Sequence, residues 1–265
     1  MASKYDRIAD DLRKRIHAGE WKAGDRLPAH TALEAEFGVS LNTVRNALEL
    51  LAAEGLLLVE QGKGTWVRER PPTSRRSNDR YQWEKDRVLL PEAQRLNDGA
   101  SEKDTGLRFE QLDFHATYTE TTADEDLAKV FEVPVGTRML RRDYRTTPKG
   151  HGVPLSYSRG SFLVYDVVAA NPALLDQANE PWPGGTQHQL STIGIELARI
   201  VDQVSCRPPT NEEAQALQLP PGTSVFALRK VSIDTGGRVV EVSDSVWPGD
   251  RVDLVYTTEL ERWGK

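Results

Sequence analysis

Residues 27–48 read LPAHTALEAEFGVSLNTVRNAL, and this stretch predicts two helices joined by a tight turn. Apolar residues recur at helical spacing on both sides of Gly38, which tolerates the positive φ that ends a helix. Ser40 can then cap the second helix by accepting a backbone N–H. The second helix has one apolar face and one polar face near its N-terminus. This arrangement is typical of a helix-turn-helix, whose second helix enters the major groove of DNA.

Two short strands are predicted directly after these helices, over residues 56–61 (LLLVEQ) and 65–68 (TWVR). The stretch Gly62-Lys63-Gly64 between them forms a tight basic tip. An ordinary helical hairpin with a solvated polar face is the alternative for the helices alone. A two-stranded wing is a second DNA-contacting element, so the combination favours DNA binding.

This part of the chain resembles the winged helix-turn-helix of the GntR family of bacterial transcription regulators. The matching residues are Tyr5, Ile8, 24–28, Val39, Ser40, 42–45, Ala47, Leu48, Leu51, Glu54, Gly55 and 62–65. Three positions depart from the family pattern: Ala29-His30 replaces the usual Ser-Glu, and Leu41 replaces the usual Arg. Because that Arg often contacts a base or a phosphate in the family, the resemblance implies an operator that differs from the common one.

We predict that Arg45, Asn42 and Thr43 meet base edges, with Arg45 placed for a bidentate contact with guanine. Ser40, Lys63 and Thr65 are predicted to hold phosphates. The full predicted DNA-binding set is His30, Thr31, Ser40, Leu41, Asn42, Thr43, Arg45, Lys63, Gly64 and Thr65.

Charge is distributed unevenly along the 265 residues, whose formal net charge is −6. Residues 1–87 carry about +2 and the remainder about −8. DNA binding must therefore come from a few well-placed cations. The single cysteine, Cys206, excludes an intrachain disulfide and a cysteine zinc cluster. We find no signal peptide and no apolar run of about 20 residues, and predict a cytoplasmic protein without a membrane partner.

The composition predicts three parts: a winged helix-turn-helix over residues 1–70, a linker over 71–87, and an effector-binding and dimerisation domain over 88–265. Pro, Ser and charged residues without periodicity indicate the linker. Within it, residues 81–85 (YQWEK) carry two aromatics at strand spacing. The pattern predicts no structure for residues 86–105.

An internal repeat organises the last part of the chain. The segments DEDLA…PVGT, between residues 124 and 137, and TNEEA…PPGT, between 210 and 223, each continue through a strand, a Gly-containing turn and a second strand. Each is predicted to start with a short helix, capped by Thr122 or Thr210. Two such units predict one antiparallel sheet with helices on one face, and a ligand-sized cleft between the units.

This repeat looks like the UTRA effector domain of the HutC subfamily, whose fold is similar to that of chorismate lyase. The resemblance implies an α+β chain and an effector between the repeats. The residues that it implies for the effector site are Arg145, Ser158, Thr186, His188, Glu241 and Trp247. Ser158 stands where many members have Glu, and Asp143 stands where sugar-phosphate binders tend to have a second Arg, which argues against a simple sugar phosphate.

The residues alone leave other roles open for three members of that set. Glu241 could be an exposed charge on its strand. Arg145 could pair with an acid, and His188 could be a surface histidine instead of a ligand donor.

Catalytic motifs are missing from the sequence. It has no Gly-rich phosphate loop, no pair of metal-ligating histidines at helical spacing and no nucleophile elbow. We therefore expect no enzyme activity, no cofactor and no metal. The sequence predicts a transcriptional repressor that binds a palindromic DNA operator as a homodimer and is released by a small-molecule effector. The alternatives are a DNA-binding protein whose C-terminal domain only dimerises, and an enzyme on the chorismate-lyase-like fold.

Overall fold

The computed structural model describes residues 3–60, 62–69, 72–96, 99–150 and 152–263. The chain divides into two compact units, Met1–Pro71 with Pro208–Ser224, and Pro72–Arg207 with Val225–Lys265. Gln61, predicted at the end of a wing strand, His151, predicted in a turn, and Pro71, predicted in the linker, lie outside the described residues.

The α-helices are α1 (Lys4–His17), α2 (His30–Phe37), α3 (Leu41–Ala53), α4 (Arg80–Arg87), α5 (Glu92–Arg95), α6 (Ala100–Thr105), α7 (Glu125–Phe131), α8 (Tyr165–Val168), α9 (Gly185–Ser191) and α10 (Asn211–Ala216). The strands are β1 (Leu57–Glu60), β2 (Gly64–Val67), β3 (Ser74–Ser77), β4 (Leu112–Thr122), β5 (Arg138–Pro148), β6 (Tyr157–Val164), β7 (Leu197–Arg207), β8 (Val225–Asp234), β9 (Val239–Pro248) and β10 (Val252–Val255).

Helices α1, α2 and α3 of the first unit pack around one apolar core. Buried members of this core include Leu12, Leu33, Val44 and Leu48. Gly38 ends α2 in the left-handed conformation with φ 61°, a value that a side chain would strain. The helix-turn-helix predicted from the periodicity is confirmed.

The predicted wing is confirmed as the antiparallel pair β1–β2. Arg26 forms an isolated bridge with Trp66, and Leu27 N donates to Thr65 O at 2.8 Å. The segment before α2 thus extends the wing by one short antiparallel pairing, which fixes the wing against the helices.

The second unit is built on a six-stranded antiparallel sheet of order β4-β5-β6-β9-β8-β7, as the repeat predicts. The expectation that helices cover one face is wrong. Adjacent strand residues point to opposite faces, and Met139 packs in the cluster of Phe131 from α7, whereas Leu140 packs in the cluster of Leu190 from α9. Both faces of the sheet are therefore covered by helices.

The two repeat helices begin in different ways. Thr210 caps α10 in a capping box with Glu213, as predicted. Asp124, and not Thr122, caps α7 by accepting from Leu127 N at 2.8 Å. Thr122 is the last residue of β4 and so cannot also begin the helix.

The stretch predicted as a linker contains regular structure from residue 74 onward. Strand β3 pairs in parallel with β10, with Ser74 opposite Val252. Residues 81–85 lie within α4 and not in a strand, so their aromatics, two residues apart, point to different sides of a helix. Helices α5 and α6 lie in the segment for which the sequence predicts no structure.

Over the described parts of the chain, every helix is too short or too polar to cross a bilayer.

Candidate DNA-binding surface and effector cavity

The start of α3 presents the predicted DNA-reading side chains. Ser40 caps the helix by accepting from Thr43 N at 3.4 Å, and the side chains of Asn42 and Arg45 are exposed. Leu41 and Thr43 are half-buried. The apolar reverse face of α3 is held in the core, so the exposed side chains are carried on a rigid helix.

Thr65 and His30 hold the wing against α2. Thr65 is 2% exposed, and its Oγ1 forms a 3.1 Å hydrogen bond with His30 Nε2. This placement engages the Thr65 hydroxyl inside the protein, where a phosphate cannot reach it without rearrangement. Thr31, next to His30 on α2, is exposed. The DNA contacts of these three residues stay predictions.

The wing tip is shaped by Arg26, which the sequence analysis did not assign to the DNA-binding set. Arg26 Nη2 donates to Lys63 O at 2.6 Å, and its guanidinium lies 5.6 Å from the Trp66 ring centroid. Gly64 has φ 146°, and a Cβ on it would lie 2.7 Å from Arg26 Nε. The match of residues 24–28 to the family pattern was the available signal for this residue.

Lys63 is the most exposed cation of the wing, with a side chain 75% exposed and paired with Glu60 at 3.0 Å. We expect Lys63→Ala to weaken binding to all DNA sequences and to reduce the slope of log K against log salt by about one. Lys14→Ala, on the exposed side of α1, is the control. Titrations at several salt concentrations measure both slopes, and an unchanged slope for Lys63→Ala would exclude the wing contact.

The second unit contains a cavity of about 390 Å³. Its floor is the sheet, where alternate residues of β9 line it, as expected for side chains on one face of a strand. These residues are Glu241, Ser243, Ser245 and Trp247. The floor also includes Leu228 and Lys230 of β8, Ser158 and Ser161 of β6, and Tyr144 and Thr146 of β5. The cavity thus combines hydroxyl groups with aromatic rings.

A buried ionic network lies at one end of this floor. Arg142 and Glu241 are each 2% exposed, and Arg142 Nη2 lies 2.9 Å from Glu241 Oε1. Lys230 Nζ approaches the other carboxylate oxygen at 2.8 Å, and Ser161 and Ser232 donate to the same carboxylate. Burial alone would raise the pKa of Glu241, but Lys230 and Arg142 outweigh it and lower this pKa to about 2. Glu241 is therefore ionised and fixed in place.

Four of the six predicted effector residues line the cavity: Ser158, Thr186, Glu241 and Trp247. Thr186 also forms a 3.2 Å hydrogen bond with Arg142, and Trp247 Nε1 donates to Ser245 Oγ at 2.9 Å. The structure brings these residues together from β6, α9 and β9.

Arg145 and His188 are placed differently. Arg145 is exposed on the face of β5 opposite to Arg142 and Tyr144, so the structure does not bring it to the cavity. The basic residue of β5 beside the site is instead Arg142. It lies three residues before Arg145, and this odd offset places the two side chains on opposite faces of the strand. His188 accepts from Trp182 Nε1 at 2.8 Å, and burial together with Arg95 lowers its pKa. His188 supports the cavity wall through Trp182, which lines it.

Sequence reasoning missed the cavity wall formed by the segment from residue 72 to 105, which covers the predicted linker and the part for which no structure was predicted. The lining residues from this segment include Ser74, Arg76, Arg80, Tyr81, Glu84 and Asp104. Arg80 is buried between Asp104 and Glu84, and Tyr81 donates to Asp202 at 2.7 Å. The helical spacing of Arg80 and Glu84 was the signal available.

Two family descriptions match the chain. "Bacterial regulatory proteins, gntR family" matches residues 4–67, and "UTRA domain" matches residues 115–253, more than half of the sequence. The chain belongs to the GntR family. Its winged helix-turn-helix and UTRA domain confirm the resemblance to the HutC subfamily. This GntR protein is a transcriptional regulator and not an enzyme.

Relatives of this GntR regulator match over nearly its whole length. An uncharacterized HTH-type transcriptional regulator of Rhizobium meliloti is 30% identical over 256 residues, 96% of this chain and 94% of the relative. The Histidine utilization repressor of Klebsiella aerogenes is 25% identical over 94% of this chain and 92% of its own. The crystal structure of PhnF from Mycobacterium smegmatis aligns with a TM-score of 0.53 at 23% identity, covering 96% of this chain and 100% of PhnF; this likeness shows the fold.

Proposed function

We propose that this regulator is a cytoplasmic repressor that binds a palindromic operator as a homodimer and is released by a small molecule bound in the second unit. The observation that carries the proposal is the rigid α3 with Asn42 and Arg45 exposed at its start. The Klebsiella aerogenes relative, a repressor by name, supports the repressor role.

Arg45 is the residue that we assign to direct reading of a base. An arginine can donate two hydrogen bonds to the O6 and N7 atoms of guanine, a contact worth about 1–3 kcal/mol of discrimination. In a dimer the two copies of α3 must lie about 34 Å apart, or a multiple of that distance, to reach successive major grooves. The operator should accordingly contain two inverted half-sites.

The DNA proposal is tested with a duplex selected by the full-length protein from a random library. We expect Arg45→Ala to lower the ratio of selected-duplex to random-duplex affinity by about 10-fold to 100-fold, since it removes the bidentate contact. Lys14→Ala should leave the ratio unchanged. Fluorescence anisotropy measures both affinities. An unchanged ratio for Arg45→Ala would refute the assignment of Arg45 to base reading. Light scattering measures the mass of the protein in solution and so tests the dimer.

The cavity favours an effector that has a flat apolar part and few charges. Arg76, Arg80 and Lys230 each already face a carboxylate, from Asp104 or Glu241. A phosphate would have to displace these partners, at the cost of leaving buried carboxylates unpaired. Tyr144, Trp182 and Trp247 offer aromatic surface instead. The departures from the family pattern already argue against a simple sugar phosphate, and these contacts support the same conclusion.

A thermal-melt panel tests the effector proposal, using amino acids, imidazole catabolites and small signalling lactones, with sugar phosphates as the disfavoured class. A compound present at 100 times its Kd stabilises the protein by about 2.7 kcal/mol, which raises the melting midpoint by several degrees. A shift that Trp247→Ala abolishes supports binding in the cavity. If no compound shifts the midpoint, the alternative in which the C-terminal domain only dimerises gains support.

Release from DNA requires that the effector binds more tightly to one state of the dimer than to the other. We propose that the ligand-bound dimer holds its two DNA-binding domains at another spacing. The compound that shifts the melting midpoint should weaken binding to the selected duplex. Equal affinity at saturating compound would contradict this mechanism.

A further inference from the structure

The segment from residue 72 to 105 lies outside both family matches, which end at residue 67 and begin again at 115. It nevertheless forms one wall of the cavity, through β3, α4 and α6. Strand β3 starts seven residues after the last residue of wing strand β2. Among the described residues, the next regular element after wing strand β2 is therefore part of a cavity wall.

Ser74, the first residue of β3, has a buried hydroxyl group that is unpaired within the described part of the protein. Its backbone N–H donates to Arg251 O at 2.9 Å, and the residue is 1% exposed and lines the cavity. Its Oγ has no hydrogen-bond partner among the described residues. Buried hydroxyls are nearly always hydrogen-bonded, and an unpaired one calls for a partner such as a ligand or an ordered water.

The next residue of β3 on the same face is also directed to the cavity. Arg76 lies 4.5 Å over the ring of Trp247 and 3.5 Å from Asp104. Arg75, between them, is exposed, as strand alternation requires. One face of this short strand thus places an unpaired hydroxyl beside a guanidinium stacked on an indole.

We propose that Ser74 Oγ binds the effector directly, so that β3 belongs to the effector site and not to a passive linker. The effector that fits this site has a hydrogen-bonding group, such as a carbonyl, an amide or a hydroxyl. Next to that group it has a flat part that packs on Trp247. Occupancy then stabilises the pairing of β3 with β10, and the ligand acts on the segment that leads to the DNA-binding domain. This inference rests on the proposed effector role of the cavity.

The test places a small occupant in the cavity without knowledge of the natural effector. In a Cys206→Ser background, Ser74→Cys is treated with benzyl methanethiosulfonate, whose thiol reaction forms a mixed disulfide and releases methanesulfinate. Ser158→Cys places the same benzyl group from the cavity floor. Arg75→Cys places it on the outer side of β3 as the control. Mass spectrometry follows labelling, and anisotropy measures affinity for the selected duplex before and after release by dithiothreitol.

We expect the benzyl group at Ser74→Cys to change the affinity for the duplex at least 10-fold, reversibly, and to slow amide exchange in β3. The label at Arg75→Cys should change neither. If Ser74→Cys resists labelling in the folded protein, or is labelled without effect while Ser158→Cys changes the affinity, the role of β3 is refuted and the effector cavity stands. If neither cavity label changes DNA binding, the proposed effector function fails as well.

An ordered water on Ser74 Oγ is the competing explanation, and Ser74→Ala distinguishes it. Removal of an unpaired hydroxyl should leave the melting midpoint of the free protein equal or higher. It should also reduce the midpoint shift caused by any compound that shifts the wild type. A lower midpoint for the free protein would show that the hydroxyl is already paired, which contradicts the inference.

Discussion

Replacement of Glu241 by Gln lowers the free energy of unfolding by about 3–5 kcal/mol, because it removes the counter-charge of the buried Arg142 and of Lys230, whose side chain is 20% exposed. Arg142 lies on one carboxylate oxygen and Lys230 on the other, and the Glu241 side chain is 2% exposed. The amide keeps the shape of the carboxylate but carries no charge. Urea denaturation of the full chain measures the change.

Asp244→Asn is the matched control for this prediction. Asp244 lies on the same strand and pairs with Arg229 at 2.8 Å, but both side chains are about one quarter exposed. Solvent screening limits such a pair to about 1 kcal/mol or less. Equal losses for the two variants would contradict the special role of the buried network.

The pH dependence of the free energy of unfolding follows from the lowered pKa of Glu241. This pKa is about 2 in the folded protein against the usual 4.5, so the folded state favours the ionised form. The stabilisation is complete above about pH 4.5 and is lost as the pH falls toward 2. The stability difference between wild type and Glu241→Gln should therefore be constant from pH 7 to about 5 and should shrink below that. A constant difference down to pH 3 would contradict the assignment.

Replacement of Arg80 by Met lowers the free energy of unfolding by about 3 kcal/mol, although the sequence places Arg80 in a linker. The guanidinium is buried and pairs with Asp104 and with Glu84, the latter at 2.9 Å. Its removal takes a positive charge away from the neighbourhood of Glu84 and Asp104, although Arg76 still faces Asp104 at 3.5 Å. The expected loss is at the lower end of the range for broken buried pairs for this reason.

Lys149→Met provides the comparison for Arg80→Met. Lys149 pairs with Asp113 at 3.7 Å, and both side chains are about half exposed, so the loss should be under about 1 kcal/mol. Hydrogen exchange adds a local measurement, because Arg80→Met should loosen α4 and α6. If α4 and α6 exchange as fast in the wild type as in the variant, the segment is a tether, and the ion pairs of Arg80 do not order it.

The sequence by itself determined the helix-turn-helix, the wing and the antiparallel class of the second sheet. These features depend on local patterns: helical periodicity in residues 27–48, Gly38 at a positive φ, and two copies of the Pro-Xaa-Gly-Thr turn. Their physical causes act within a few residues of the chain, so a single sequence displays them.

Only the tertiary structure decided which charged residues meet. Arg142 and Arg145 are both plausible from the sequence, and the register of β5 in the sheet buries the first and exposes the second. The partners of Arg142 and Arg80, Glu241 and Asp104, are 99 and 24 positions away. Local propensity carries no information about such pairings. The regular structure within the predicted linker was missed for the same reason, because Arg80 and Tyr81 find partners far along the chain, in Asp104 and Asp202.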